Sequence, residues 1–384
     1  MKTITDTNSL NQAMNSLQNT EFVTVDTEFK RTNTYWPILC LIQIAGPDDA
    51  YIIDPLEKGI DLTSFWQLMA NTDVLKVFHA SRQDLEIFYH ENGALPHPVF
   101  DTQIAAMVCG FGDSVGYETL VSRLADAQID KSSRFTDWSR RPLSKQQLNY
   151  AIGDVTHLRI VYERLAEMLE ENKRAEWLQE EMDELESPDT YVTVPENAWL
   201  RLKTKSNNRR FLGYVQSVAS WREETAQITN VPRNRIMCDD VVMELAAHPP
   251  RNIEDLKKVR NVPSQAISPK KGVPALLDRI SAVQKTAEEN LPEPRKQKKL
   301  PKGIGPTVDL LKVLLKQKCE ESGVAQKLIA NVSDLELLAA DDKADIQALK
   351  GWRKELFGQD ALALKSGKLA LSVRHNNVFV SRID

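Results

Sequence analysis

The hydrophobic pattern divides the chain near its middle. In the first half, short apolar runs rich in β-branched residues alternate with runs of helical period. The stretches "EFVTVDTEFKR" (21–31), "ILCLIQIA" (38–45) and "AYIIDP" (50–55) predict strands, and the short gaps between them predict neighbours joined by hairpins. A helix is expected from about Leu62 to Ala70, a strand at "VLKVFH" (74–79) and a helix at "ASRQDLEIFYHEN" (80–92). "HPVFDTQIAAMVCG" reads as a short strand and another helix, and the polar, basic stretch "IDKSSRFTDWSRRP" (129–142) follows. A long helix starts at Ser144, where Ser144 and Gln147 have capping-box spacing, and Leu148, Ala151, Ile152, Val155, Leu158 and Tyr162 supply its apolar face. The pattern is that of an α/β domain whose sheet begins with adjacent strands and gains later ones through helical crossovers.

Residues 165–189 are strongly acidic and read as a solvated helix leading to a linker near Ser187 and Pro188. From about Asn207 the periodicity is helical throughout. "LPEPRKQKKLPKGIGP" (291–306) has the composition of a second linker, with "GIGP" a turn inside it. The last piece is mostly helical and closes with a strand pair around Asn376 and Asn377.

Composition narrows the function. With 384 residues, two or three domains are expected. No apolar run approaches a membrane span, and the N-terminal residues lack the apolar core of a signal peptide, so a cytoplasmic protein is the expectation. Cys40, Cys109, Cys238 and Cys319 are scattered, which suits structural thiols rather than a zinc site or disulfide framework. The net charge of −5 hides a split: residues 201–302 hold 21 Lys and Arg against 11 Asp and Glu, an excess of ten, leaving the rest at −15. A basic segment in an acidic chain is a candidate polyanion-binding surface or an ordinary solvated one.

The candidate chemistry is acidic. Asp26 and Glu28, two apart at the end of the first strand, share one face beside apolar neighbours, where repulsion and desolvation oppose them. Asp84 falls in the first turns of a helix just after a strand. Asp154 lies on the long helix four residues after Tyr150, so the two project together. Taken singly, Asp84 could cap or solvate a helix start, Tyr150 could be a core aromatic and Asp154 could pair with Arg159 or a basic loop. Together, four convergent carboxylates need cations, and an all-oxygen set suits Mg²⁺ or Mn²⁺. Two such ions roughly 3.5–4 Å apart form a clamp for in-line attack on a phosphodiester.

These segments resemble the ribonuclease D family, in the DEDD superfamily of 3′→5′ exonucleases. "VDTEF", "HASRQDLEIF" and "DWSRRPLSKQQLNYAIGDV" resemble its three exonuclease motifs, and "RTNTYWPILCLIQIA" and "PHPVFDTQIAA" its intermediate segments. Asn149 stands where one branch of the superfamily has a histidine, and Tyr150 matches the tyrosine branch. The resemblance implies an RNase H-like exonuclease domain, a mixed sheet flanked by helices, over residues 1–190. It implies Asp26, Glu28, Asp84 and Asp154 as metal ligands, with Tyr150 orienting the attacking water.

Residues 207–288 resemble an HRDC domain, a small helical nucleic-acid-binding module, with "FLGYVQSVASWREETAQITNVPRNRI" as the best stretch. Residues 305–384 occupy the place of a second, divergent HRDC-like domain, which could bind nucleic acid or close a ring over the active site. The expected activity is a metal-dependent exoribonuclease that releases nucleoside 5′-monophosphates and trims tRNA precursors, acting as a monomer with RNA as partner and no membrane. A DNA exonuclease and a non-catalytic nucleic-acid scaffold are the rivals. Arg134, Arg140 and Arg141 are candidate phosphate contacts or salt-bridge partners, His79 a candidate supporting group, and Asp101 a structural acid.

Overall fold

A computed structural model describes residues 2–294 and 300–383. Six strands form the main sheet: β1 (Lys2–Ile4), β2 (Phe22–Lys30), β3 (Ile38–Ala45), β4 (Ala50–Ile53), β5 (Leu75–Phe78) and β6 (Val99–Asp101). Their order is β1-β4-β3-β2-β5-β6, with β2, β3 and β4 antiparallel neighbours and the remaining pairs parallel. The hairpins and crossovers agree with the sequence pattern. β1, and the helix α1 (Thr7–Leu17) that Asp6 caps through the Ser9 amide, were not expected.

β2 lies within the predicted stretch, but the two acids are not at its end. Asp26 and Glu28 lie inside the strand, opposite Gln43 and Leu41, and a bulge falls between Glu28 and Phe29. Pairing with the apolar β3 carries the polar half of β2 past the point where its own hydrophobicity ends.

Alternation along β2 separates two faces. Val23 and Val25 pack with α1, α2 (Thr63–Ala70) and α3 (Arg82–Asn92). Further helices are α4 (Thr102–Val108), α5 (Tyr117–Leu124) and α6 (Lys145–Glu171). α6 covers the opposite face, where Leu158 packs on Phe22 and Val77 and the Thr24 hydroxyl donates to the Val155 carbonyl at 2.8 Å. Ser144 caps α6 in the expected capping box.

The acidic segment is not one solvated helix. α6 ends at Glu171, and α7 (Gln179–Leu185) follows with Met182 and Leu185 buried. Beyond it, α8 (Arg209–Thr229), α9 (Arg233–Ile236), α10 (Asp239–Ala247), α11 (Ile253–Lys258), α12 (Ser264–Ile267) and α13 (Leu276–Lys285) enclose the fully buried Trp221. This bundle leans on the sheet domain through Tyr35, whose hydroxyl donates to Glu223, and through the Trp36 amide, which donates to Asn230 Oδ1 at 2.9 Å. Part of the expected second linker, residues 295–299, lies outside the described residues. "GIGP" is part turn and part helix start: Gly303 lies in a turn at positive φ, and α14 (Gly305–Ser322) begins two residues later with its proline in the first turn.

The C-terminal piece adds α15 (Val332–Ala340), a helix interrupted by a π turn at Lys354–Gly358, and the hairpin β7 (Leu369–Arg374) and β8 (Asn377–Arg382). Gly358 is required by close approach: a Cβ there would meet the Ala348 carbonyl at 2.3 Å. His375 and Asn376, both at positive φ, make the turn of the expected strand pair, one residue earlier than its expected centre.

This piece continues the apolar core of the sheet domain. The Ala325 amide donates to the Met107 carbonyl at 2.8 Å, and Trp177 stacks on Trp352 at 4.3 Å. Arg353, 2% exposed, donates to the Leu328 carbonyl at 2.6 Å and pairs with Glu180 and Glu181 of α7. Arg353→Ala should therefore loosen this docking by about 2–4 kcal/mol, a range discounted for the partial exposure of both glutamates. Hydrogen exchange should show faster exchange across α14 and α15 while β2 and β3 are unaffected; unchanged rates would mean that apolar packing alone holds the piece.

Candidate active site

The sheet and α6 bring the predicted acids together at one end of β2. Carboxylate oxygens of Asp26, Glu28 and Asp154 all lie within 4.8 Å of one another. Asp26 and Glu28 reach this point because their parity on β2 points them to the α6 side, and Asp154 because it faces inward on that helix. Asp84 stands outside this compact group, buried in the first turn of α3. Its carboxylate accepts from Thr27, the residue between the two β2 acids, so one strand anchors acids on both sides of the sheet's end.

The electrostatics are severe. Burial, then repulsion from Asp26, Asp154 and Asp84, pushes Glu28 up to about 10. Burial raises Asp154 to about 7, although the Tyr150 hydroxyl and Arg134 oppose the shift. Asp26 and Asp84 are likewise held above the usual carboxylate range, by burial first and then by the neighbouring acid. Among the described residues, Arg134 is the cation that acts on Glu28 and Asp154, and it lowers them less than burial raises them. Across β3, the fully buried Gln43 amide opposite Asp26 has no partner among the described residues for either of its polar atoms. A clustered, oxygen-only set of carboxylates suits a hard divalent cation.

Tyr150 sits beside Asp154, its ring 6.0 Å from Trp138. Burial, and then the Asp154, Glu28 and Asp26 charges, raise its pKa, so the phenol keeps its proton and remains a donor. Tyr117 fixes α6 here by donating to the Asp154 carbonyl at 2.8 Å. The acids open into a cavity of about 830 Å³, with Phe135, 90% exposed, at its lip.

Other predicted residues sort differently. Arg159 does not meet Asp154; its guanidinium lies over the Phe22 ring at 4.0 Å. Arg141 holds the 131–142 loop in place, donating to Asp54 at 2.7 Å and to the Cys40 carbonyl at 2.8 Å. Arg140 is exposed near Asp137, while Arg134 lines the cavity. Asp101 is structural: it caps α4 and accepts from the Ser81 amide at 2.8 Å. His79 lines the cavity with Nδ1 3.0 Å from the Thr102 hydroxyl. Sequence reasoning missed Thr27, Gln43, Tyr117 and Phe135. Only Phe135, an aromatic in a basic loop, left a signal.

Residues 1–170 match the family model described as a 3′-5′ exonuclease, and residues 211–272 match that of the HRDC domain. The ribonuclease D of Nitrobacter hamburgensis is 49% identical over 98% of this chain and 98% of its own length. That of Granulibacter bethesdensis is 46% identical over 96% and 94%. The chain belongs to the ribonuclease D family. The crystal structure of Escherichia coli RNase D, described as an exoribonuclease involved in structured RNA processing, superposes with a TM-score of 0.78 at 28% identity, covering 95% of this chain and 98% of that one. As a ribonuclease D, the enzyme is a 3′→5′ exoribonuclease with RNA as substrate, and its exonuclease fold implies use of divalent metal. None of its helices, among the described residues, is long and apolar enough to cross a membrane.

Proposed function

We propose that this ribonuclease D removes nucleoside 5′-monophosphates one at a time from RNA 3′ ends, tRNA precursors among its substrates, as a monomer. Asp26, Glu28, Asp84 and Asp154 hold two divalent ions and Tyr150 orients the attacking water. The observation that carries this reading is the group of three carboxylates within 4.8 Å, with the Tyr150 phenol, which keeps its proton, beside it. Bound divalent ions would favour ionisation of the attacking water and offset charge on the scissile phosphate. The chain's own part is to hold the acids on three rigid elements, β2, α3 and α6, and to keep the Tyr150 proton available as a donor. We assign the exonuclease domain to residues 1–190, an HRDC domain to 207–288 and a divergent HRDC-like domain to 305–384. The test is degradation of 3′-extended tRNA transcripts and matched DNA with Mg²⁺ or Mn²⁺. Monophosphate products from RNA are expected, and faster decay of DNA or none of either would overturn the reading.

The raised carboxyl pKa values give the metal dependence a sign. A carboxyl raised in the folded state contributes stability below its unfolded value, about 4, and loses it as pH rises through the folded one. The metal-free enzyme therefore loses stability from about pH 4 through the folded values of about 7 for Asp154 and about 10 for Glu28. Cations bind the charged form, so their effect grows over the same range. The gain in melting temperature on adding Mn²⁺ should be larger at pH 8 than at pH 6, and a pH-independent gain would place the ion elsewhere.

A further inference from the structure

Three arginines of the basic middle segment are engaged within the bundle itself. Arg209 donates to the Glu289 and Leu291 carbonyls, Arg210 to the Val283 and Thr286 carbonyls, and Arg233 pairs with Glu223 at 3.1 Å. Arg209 and Arg210 close the helical bundle, and Arg233 also lies over the Tyr35 ring of the sheet domain at 5.8 Å. A second basic locus forms between the two units. A cavity of about 210 Å³ is lined by Arg31 from the end of β2, Arg82 from the start of α3, Arg201 just before the bundle, and Arg233. Its acidic lining residue is Glu86, which pairs with Arg31 at 2.8 Å. Arg82 and Arg201 are exposed and take part in no ion pair among the described residues. The cavity meets the acidic pocket at Arg31, which lines both, and Arg82 lies two residues before Asp84.

We propose that this cleft binds backbone phosphates of the RNA strand upstream of the 3′ end held at the acidic pocket. The inference rests on the reading of that pocket as the 3′-end site. Four guanidiniums around a small cavity, two of them unpaired, attract a polyanion but read no base, which suits an enzyme that must move along any sequence. The position also answers an electrostatic problem: the acids repel the strand they act on, and a cationic cleft at the pocket's margin holds it in place. Tyr35 and Trp36, in the cavity wall, are fixed by the bundle, so the cleft exists only while the two units are docked.

The test compares full-length enzyme with its Arg82→Ala/Arg201→Ala and Arg82→Lys/Arg201→Lys variants. Hydrolysis of a dinucleotide and of a single strand of about twenty nucleotides is followed across a salt series. Each lost phosphate contact lowers the slope of log affinity against log salt by about 0.7, so the alanine pair should lower it by about 1.4 and raise KM for the long strand about tenfold at 0.15 M salt. Dinucleotide hydrolysis and kcat on the long strand should match the parent's, and the lysine pair, which keeps the charge, should keep the slope. Both positions are exposed, and matched melting curves would confirm intact folding. If the alanine pair retains the parent's KM and slope, or if the lysine pair loses as much as the alanine pair, the proposal falls. A parent enzyme inactive on both substrates would instead overturn the reading of the acidic pocket.

Discussion

Asp26→Asn is expected to reduce RNA hydrolysis by at least about 10³-fold while leaving the fold intact, since it removes a preorganised charge from the centre of the site. Asparagine keeps the shape and the backbone pairing opposite Gln43, so β2 retains its register. It also removes one of the charges that hold Glu28 and Asp84 above their usual range. The metal-free variant should consequently melt no lower than the parent, and its melting temperature should respond less to added Mn²⁺. Circular dichroism, a melting curve with and without metal, and decay of labelled RNA would be measured together. Undiminished decay would sink the assignment of Asp26 as a ligand, and a collapsed spectrum would show instead that the acid is needed for folding.

Tyr150→Phe should lower kcat by ~10²–10⁴-fold and leave RNA binding nearly unchanged. Phenylalanine fills the same space beside Trp138 and removes only the hydroxyl next to Asp154. The phenol's raised pKa means that it donates a hydrogen bond and does not serve as a base, so the loss should be similar across pH 6 to 9. Turnover close to the parent's would make Tyr150 a core aromatic, and weakened binding at constant kcat would make it a platform for the substrate.

The features legible in the sequence were those set by nearby residues. β3 and β4 carry their own apolar patterns, and the capping box at Ser144 is complete within four residues. The order of acids along the chain, with Tyr150 four before Asp154, was also readable, because strand and helix periods alone decide which way those side chains point. What escaped was set by partners far along the chain. β1 has three residues, and β4, with which it pairs in parallel, is its reason to be a strand. The acidic 165–189 segment looks solvated until its glutamates are seen meeting Arg353 and the Val99 amide. Arg141, readable as a phosphate contact or a salt-bridge partner, clamps Asp54, and Arg209 and Arg210 of the helical bundle donate to its own carbonyls. Charge counts register how many arginines there are, whereas function depends on which are left without a partner.

The docking of the C-terminal piece also bears on synthesis. Met107 and Val108 belong to an apolar core that Leu311, Ala325 and Leu328 help to form, so the nuclease part of a growing chain keeps a face in water until that last piece emerges. Making residues 305–384 takes roughly 4–16 s at ordinary translation rates. During that interval all the acids and Tyr150 have been made, yet the sheet that aligns them lacks part of its support. A ribosome that stalls within this stretch leaves a product marked by exposed apolar surface for proteases and chaperones, and the burial of that surface makes synthesis of residues 305–384 a condition for a stable RNA-degrading enzyme.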